Sequence, residues 1–251
     1  DVARDAADLG RNALRQKVPF AEVLAGLDIL AARGPMPVCD IVLRADTRPR
    51  LAERVQATLC SIDRQDYPHW RVWLSTPEGI AIDDLTRHMP HLTGRVAPLA
   101  DHAAPDAPGF MLMLRAGDVL AADGLLGPLL AADTTGAPAF VYADDRRPDP
   151  LAPGEIAAFH KPGWSPDLLM SQNYIGRAWL VSAALLSEAR IGLIDLAGLG
   201  DYGAALRLSA VAARLNAIRQ VPILMLETSA TETPAIERKA LQAHLRAEGV
   251  L

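Results

Sequence analysis

Apolar residues along this chain fall into two alternating rhythms, and the alternation outlines the fold. Over residues 1–34, Val23, Leu24, Leu27, Leu30 and Ala31 recur at helical spacing in a background of Ala, Leu and Arg, which predicts a helical lead-in. Gly34-Pro35 and Pro37 end that pattern. Residues 38–43 form a short apolar, β-branched run and predict a first strand. Residues 50–64 place Leu51, Val55, Leu59 and Ile62 on one helical face, Gln65-Asp66-Tyr67-Pro68 closes the helix, and residues 71–74 predict a second strand. Strand, helix and strand with short links make a βαβ unit, hence parallel pairing.

The rhythm continues to the end. Helices are predicted over 83–89, 123–132, 178–189, 202–216 and 234–249, and strands over 110–114, 139–142 and 221–226. Residues 100–109, rich in Ala, Pro and Asp, predict a loop. The chain of 251 residues, half of them hydrophobic, can build one large α/β domain with a real core. Its net charge of −5 is spread along the sequence, so no basic stripe marks a nucleic-acid surface. Cys39 and Cys60 lack metal-ligand spacing and predict two reduced, part-buried thiols of a cytoplasmic protein. No apolar run approaches the ~20 residues that span a bilayer, so no transmembrane segment is expected, and no signal peptide is visible. The absence of an initial Met is expected for a trimmed chain or a piece of a longer one.

One segment escapes both rhythms. Residues 161–176 read KPGWSPDLLMSQNYIG, and Pro162 and Pro166 each remove a backbone donor. This predicts a loop shaped to hold side chains, where function tends to sit. The segment closely resembles the K-P-D-W-S-P-D-L-L-S-x-N-Y-I block of family 2 glycosyltransferases of the type that builds O-antigen and related surface polysaccharides, with Gly163 in place of Asp. The resemblance runs from Pro35 to Leu251. SIDRQDYPHW at 61–70, LRAGDVLAADGL at 114–125, VYADD at 141–145 and GDYGAALR at 200–207 resemble further family segments. So does the closing AIERKALQAHLRAEGV, which in the family commonly leads into a second transferase domain.

That resemblance implies the GT-A (nucleotide-diphospho-sugar transferase) fold: α/β, with a mostly parallel central sheet flanked by helices. It implies a lead-in at 1–34, a transferase-like domain at 35–230 and a C-terminal helix at 231–251. It implies inverting transfer from a nucleotide-sugar donor to a glycan acceptor, in the cytoplasm or peripherally at the inner membrane. The family's Asp-x-Asp, which holds Mg²⁺ or Mn²⁺ as a Lewis acid, falls on Arg115 and Gly117, leaving Asp118 as the only metal carboxylate. Metal binding is therefore expected to be weak or absent. The family's P-T-Y-N falls on Arg44, Ala45, Asp46 and Thr47, its V-D-D on Leu74, Ser75 and Thr76, and its late His-Trp-Arg on Leu226, Glu227 and Thr228. Donor contacts and both ends of the metal site are thus altered together.

The remaining candidates each have two readings. Asp201 matches the family's base, which takes the acceptor proton, or it caps the helix that follows. Arg115 screens phosphate charge or is a surface residue at a strand end. Asp144 and Asp145 bind substrate at the ligand edge of the sheet or pair locally with Arg146 and Arg147. Lys161 is placed to face a phosphate, Trp164 to stack on a sugar or base, and Asn173 to bind a hydroxyl; otherwise Trp164 and Tyr174 pack the loop onto the sheet, as Leu168 and Leu169 do. His88 and His91 read as surface residues. Two functions follow: an inverting glycosyltransferase, or a degenerate GT-A domain that binds or scaffolds beside an active transferase domain.

Overall fold

The computed structural model describes residues 19–101, 109–132, 134–149, 151–152, 154–230 and 232–249. The lead-in predicted over 1–34 therefore lies partly outside the described residues. Its described part is helix α1, Phe20–Arg33, ended by Gly34 at φ 141°.

The fold grows from β1, Val38–Arg44. It pairs in parallel with β2, Trp70–Ser75, on one side and with β4, Gly109–Arg115, on the other. Helix α2, Leu51–Asp63, makes the crossover between β1 and β2. After a short α3, Ile82–Thr86, strand β3, Val96–Pro98, extends the parallel edge. Ile41, Leu43, Leu112 and Leu114 point into one apolar layer, and Val42, Met111 and Met113 into the other. A sheet covered on both faces needs near-continuous apolar strands, which is what the sequence supplies here.

The second half is mixed in direction. After β5, Val119–Leu120, and α4, Leu126–Ala131, strand β6, Phe140–Pro148, turns back through a hairpin to β7, Ile156–Phe159. Short α5, Pro166–Ser171, precedes β8, Trp179–Ser182, which lies antiparallel between β4 and β6. Then come α6, Ala183–Ala189, α7, Leu193–Gly198, and α8, Gly200–Arg214. Strand β9, Ile218–Glu227, runs parallel to β6, and α9, Pro234–Ala247, packs on α8. The sheet order is β3-β2-β1-β4-β8-β6-β9-β5, with β7 on β6.

Three elements differ from the sequence reading. Residues 178–189 are not one helix: four of them form β8, and Ser182 then caps α6 by accepting from Leu185 N at 3.2 Å. The apolar run 178–181 suits a buried strand as well as a helix, and the free pairing edge of β4 decides between them. Strand β6 does not stop at Tyr142; it runs through Asp144 and Asp145, with register shifts against β9 on either side of Asp144. Such bulges re-aim side chains. Inside the 161–176 segment, Pro166 starts α5 and Ser165 accepts from Leu168 N at 3.3 Å, because a proline costs nothing at the first helical position.

Tyr67 ties the turn after α2 to the start of β1. Its ring is fully buried and its hydroxyl donates to Pro37 O at 2.5 Å. Tyr67→Phe leaves that carbonyl without its partner, and should lower stability by about 1–3 kcal/mol in urea denaturation, with no change in m-value.

Candidate functional site

Parallel strands deliver ligand sites at their carboxyl ends. Here those ends carry arginines. Arg44 closes β1 and Arg115 closes β4, side by side in register. Two guanidiniums at one edge require acids, and the acids come from distant segments. Asp201, the second residue of α8, accepts from Arg44 Nη2 at 2.9 Å on Oδ1 and lies 3.0 Å from Arg115 Nη2 on Oδ2. Glu232 receives Arg115 Nη2 at 2.7 Å.

The centre of the cluster is Arg177, just before β8. Its Nε and Nη2 donate to Asp118 Oδ2 and Oδ1, both at 2.9 Å. Its Nη1 donates to Asp201 Oδ2 at 2.5 Å and its Nη2 also reaches Ala230 O at 2.8 Å. Arg177 is 2% exposed and Asp118 is not exposed at all. Burial alone would lower the pKa of this guanidinium, but Asp118 and Asp201 raise it above the ordinary arginine value. Burial likewise pushes Asp201 up, yet Arg177, Arg44 and Arg115 outweigh it and hold its carboxyl below the usual range. Arg44, Arg115 and Arg177 are thus balanced by Asp118, Asp201 and Glu232.

Asp201 does not cap its helix. Glu232 does, accepting from Asp201 N at 2.9 Å and Tyr202 N at 3.2 Å, where the positive end of the helix dipole favours a carboxylate. Gly200, at φ 74°, makes this possible: a Cβ there would lie 2.7 Å from Glu232 Oε1. The sequence alone singles out neither Arg177 nor Glu232. Arg177 directly follows the 161–176 segment, and nothing in the local sequence separates it from an ordinary surface arginine.

The other candidates form a second group along β6. Asp145 is held in a fork by Arg147, at 2.9 Å for both bonds, and lies 3.1 Å from Lys161 Nζ. Arg146 points to the opposite face and pairs with Glu227 at 2.9 Å, so strand alternation splits the expected local cluster. Asp144 accepts from Lys161 N at 2.9 Å and meets His160 Nδ1 at 2.8 Å. Lys161 is buried and also donates to Ile175 O at 2.5 Å. Burial lowers its pKa to about 8, against the pull of Asp145. Tyr174 is buried against Tyr142, ring centroids 6.1 Å apart, and its hydroxyl accepts from Ser165 N at 3.1 Å. Trp164, Leu168 and Leu169 pack on the same apolar layer. Asn173 donates to Glu237 at 3.3 Å and accepts from Gly176 N at 3.0 Å. It lines a cavity shared with Arg177, Asp201, Glu232 and Asp145, which joins the two groups. That cavity holds about 40 Å³, room for a few waters and far below the roughly 300–1,000 Å³ of small-molecule sites.

The donor set does not fit a divalent ion. Besides the fork from Arg177, Asp118 accepts from Arg115 N, Ser229 N and Ser229 Oγ, at 2.8, 2.8 and 2.9 Å, so its lone pairs are taken. Among the described residues no group of three or more His, Cys, Asp or Glu could hold a metal. Gly117 cannot supply a second acid: it sits at φ 101°, and a Cβ there would meet Ser229 Cβ at 3.0 Å. No helix among the described residues is long and apolar enough to cross a membrane.

Gly117→Asp should therefore fail to restore metal binding. It should lower stability by at least the roughly 1–2 kcal/mol that a side chain costs in left-handed backbone, read by urea denaturation with and without Mn²⁺. Lys161 predicts a pH effect. Between about pH 8 and the ordinary lysine value of 10.5, the unfolded chain holds a proton that the folded chain has lost, so this residue's contribution to stability rises with pH. Stability measured across that window should lose the rising component in Lys161→Met, visible as the difference between the two profiles.

The sequence finds no match among protein-family models or curated proteins. Solved structures do match. S. aureus TarS, residues 1–349, in complex with UDP is 11% identical, with a TM-score of 0.52 over 83% of this chain and 65% of that one. The mannosyltransferase PcManGT from Pyrobaculum calidifontis, in complex with GDP-Man and Mn²⁺, is 11% identical, with a TM-score of 0.54 over 98% of this chain and 75% of that one. At this identity the likeness establishes the architecture, and the architecture is the α/β GT-A fold of glycosyltransferases.

Proposed function

We propose that this chain serves glycosyl transfer as a GT-A domain that binds or scaffolds beside an active transferase domain. The observation that carries this reading is the closure of the carboxyl edge of the sheet. Arg177 occupies both Asp118 and Asp201, and the cavity of about 40 Å³ beside them is too small to take a nucleotide sugar. A general base must also meet its proton near the working pH, whereas Asp201 faces three guanidiniums and is held well below that range. In this reading the partner domain acts on a nucleotide-sugar donor and a glycan acceptor, of the surface-polysaccharide kind that the sequence resemblance implies.

A second reading is supported by the fold and by the position of Asp201 beside the cavity: inverting transfer by this chain itself. It requires Arg177 to swing away so that Asp201 can take an acceptor hydroxyl proton. Arg115, Lys161, Trp164, Asn173 and Tyr174 would then contact donor or acceptor, with Asp144 and Asp145 positioning them.

One set of measurements separates the two. The binding reading expects Mn²⁺ with UDP to bind no tighter than the millimolar range, about −4 kcal/mol, by calorimetry. It also expects no acceptor-dependent release of nucleoside diphosphate from UDP- or GDP-sugars. Turnover by the parent chain that drops ~10²–10⁴-fold in Asp201→Asn, as loss of a general base does, would establish the second reading instead.

A further inference from the structure

Away from the closed edge, a cavity of about 400 Å³ opens between α6, α8 and α9, within the roughly 300–1,000 Å³ of small-molecule sites. Helices α8 and α9 run side by side in the same direction: a Cβ on Gly203 would lie 3.7 Å from Ala240 Cβ, and Arg214 lies 4.0 Å from Glu248. Between those two contacts the facing side chains are small, and Ala210, Val211, Ala240 and Ala243 leave an apolar space. The other walls are charged: Arg190, Arg207, Arg214 and His244 stand with Glu188 and Glu248. Glu248 is close to Arg214, whereas Arg190 and Arg207 have no side-chain partner among the described residues. Arg190 also ends α6 in left-handed backbone, at φ 52°. Glycine is usual at that place and a side chain is disfavoured there; strained backbone of this kind gathers at ligand clamps.

We propose that this cavity binds a phosphate monoester carried on an apolar body. The apolar part lies on Ala210, Val211, Ala240 and Ala243, and Arg190, Arg207 and His244 take the phosphate. These three donors come from three elements: the end of α6, the middle of α8 and α9. The three terminal oxygens of a phosphate monoester can meet all of them, which the two oxygens of a carboxylate cannot, and guanidiniums pair well with phosphate oxygens. Three arginines against two glutamates leave the lining one positive charge. Neither Asp118 nor Arg177 lines the cavity, so the proposal goes beyond the closed-edge reading and does not depend on it.

The test uses hexyl phosphate on the full chain, with calorimetry and the ³¹P linewidth as readouts. Hexyl phosphate should bind at least about 10-fold more tightly than inorganic phosphate, hexanol or hexanoate. Arg207→Gln should weaken it about 10-fold, Ala243→Phe should fill the space and abolish binding, and Glu188→Gln should tighten it. Arg64→Gln, an exposed arginine outside the cavity, should bind like the parent. Arg190→Gly separates binding from a merely structural role: it relieves the left-handed backbone, so its Tm should rise while its affinity falls. The source of the phosphate is read from vesicles of phosphatidylcholine with and without phosphatidic acid. Co-sedimentation that needs phosphatidic acid and is lost in Arg207→Gln identifies a lipid headgroup; hexyl phosphate binding without co-sedimentation identifies a free ligand. The proposal is overturned if hexyl phosphate binds no tighter than the three comparison compounds, or if Arg207→Gln and Ala243→Phe, both folded by circular dichroism, bind it like the parent. None of these results bears on the carboxyl edge, which is tested by Mn²⁺ with UDP.

Discussion

The fork between Arg177 and Asp118 is the interaction on which the carboxyl edge of this sheet depends. Both groups are inaccessible to water, and a buried charge is tolerated only when it is paired and fully hydrogen-bonded. Pairing here needs four pieces of chain at once: the turn after β4, the segment leading into β8, the first turn of α8 and the segment after β9. Breaking one partner of such a pair costs about 3–5 kcal/mol, chiefly because the other charge remains buried. The fork thus fixes where β8 begins and how α8 meets the sheet, and it closes the edge as it does so.

Like charge at the strand ends gives the rest of the site its form. Arg44 and Arg115 are neighbours because β1 and β4 are in register, and their repulsion is relieved by Asp201 and Glu232. Glu232 does two things with one carboxylate: it neutralises Arg115 and satisfies the open N–H groups of α8. Asp201 is left free of capping and points at the arginines. The consequence is electrostatic self-sufficiency, with three cations facing three anions inside the protein. A site that has already satisfied its own charges has little left to offer a diphosphate or a metal ion.

The sequence made the scaffold legible and left the site opaque, for physical reasons. Strands β1, β2 and β4 and helices α2, α8 and α9 carry their own periodicity, so a window of a dozen residues suffices. Strand β8 does not: its four residues lie in an apolar run that also fits a helix, and only the unpaired edge of β4 makes it a strand. That Asp118 has no acid beside it at 115 or 117 is legible in the sequence; its pairing with Arg177 is not. Arg177 lies 59 residues from Asp118 and 24 from Asp201 in the chain, and no local pattern encodes a contact at that separation. Of the local pairing between Asp144, Asp145 and the two following arginines, the structure keeps Asp145 with Arg147, while β6 continues through them and sends Arg146 to Glu227.

Gly117, Arg177 and Glu232 form one arrangement. Ser229 packs against Gly117 while binding Asp118, so the segment after β9 can approach only where residue 117 has no side chain. That approach brings Ala230 O to Arg177 and Glu232 to α8. Restoring an acid at 117 would push Ser229 away, which would loosen Asp118 and uncover Arg177. Removing Arg177 alone would leave Ser229 where it is and the space at 117 still closed. Groups coupled this tightly do not respond additively. A metal-dependent centre is therefore not one substitution away from this site: the positions at 115, 117, 177 and 232 would have to change together, because each now occupies space or charge that the others rely on.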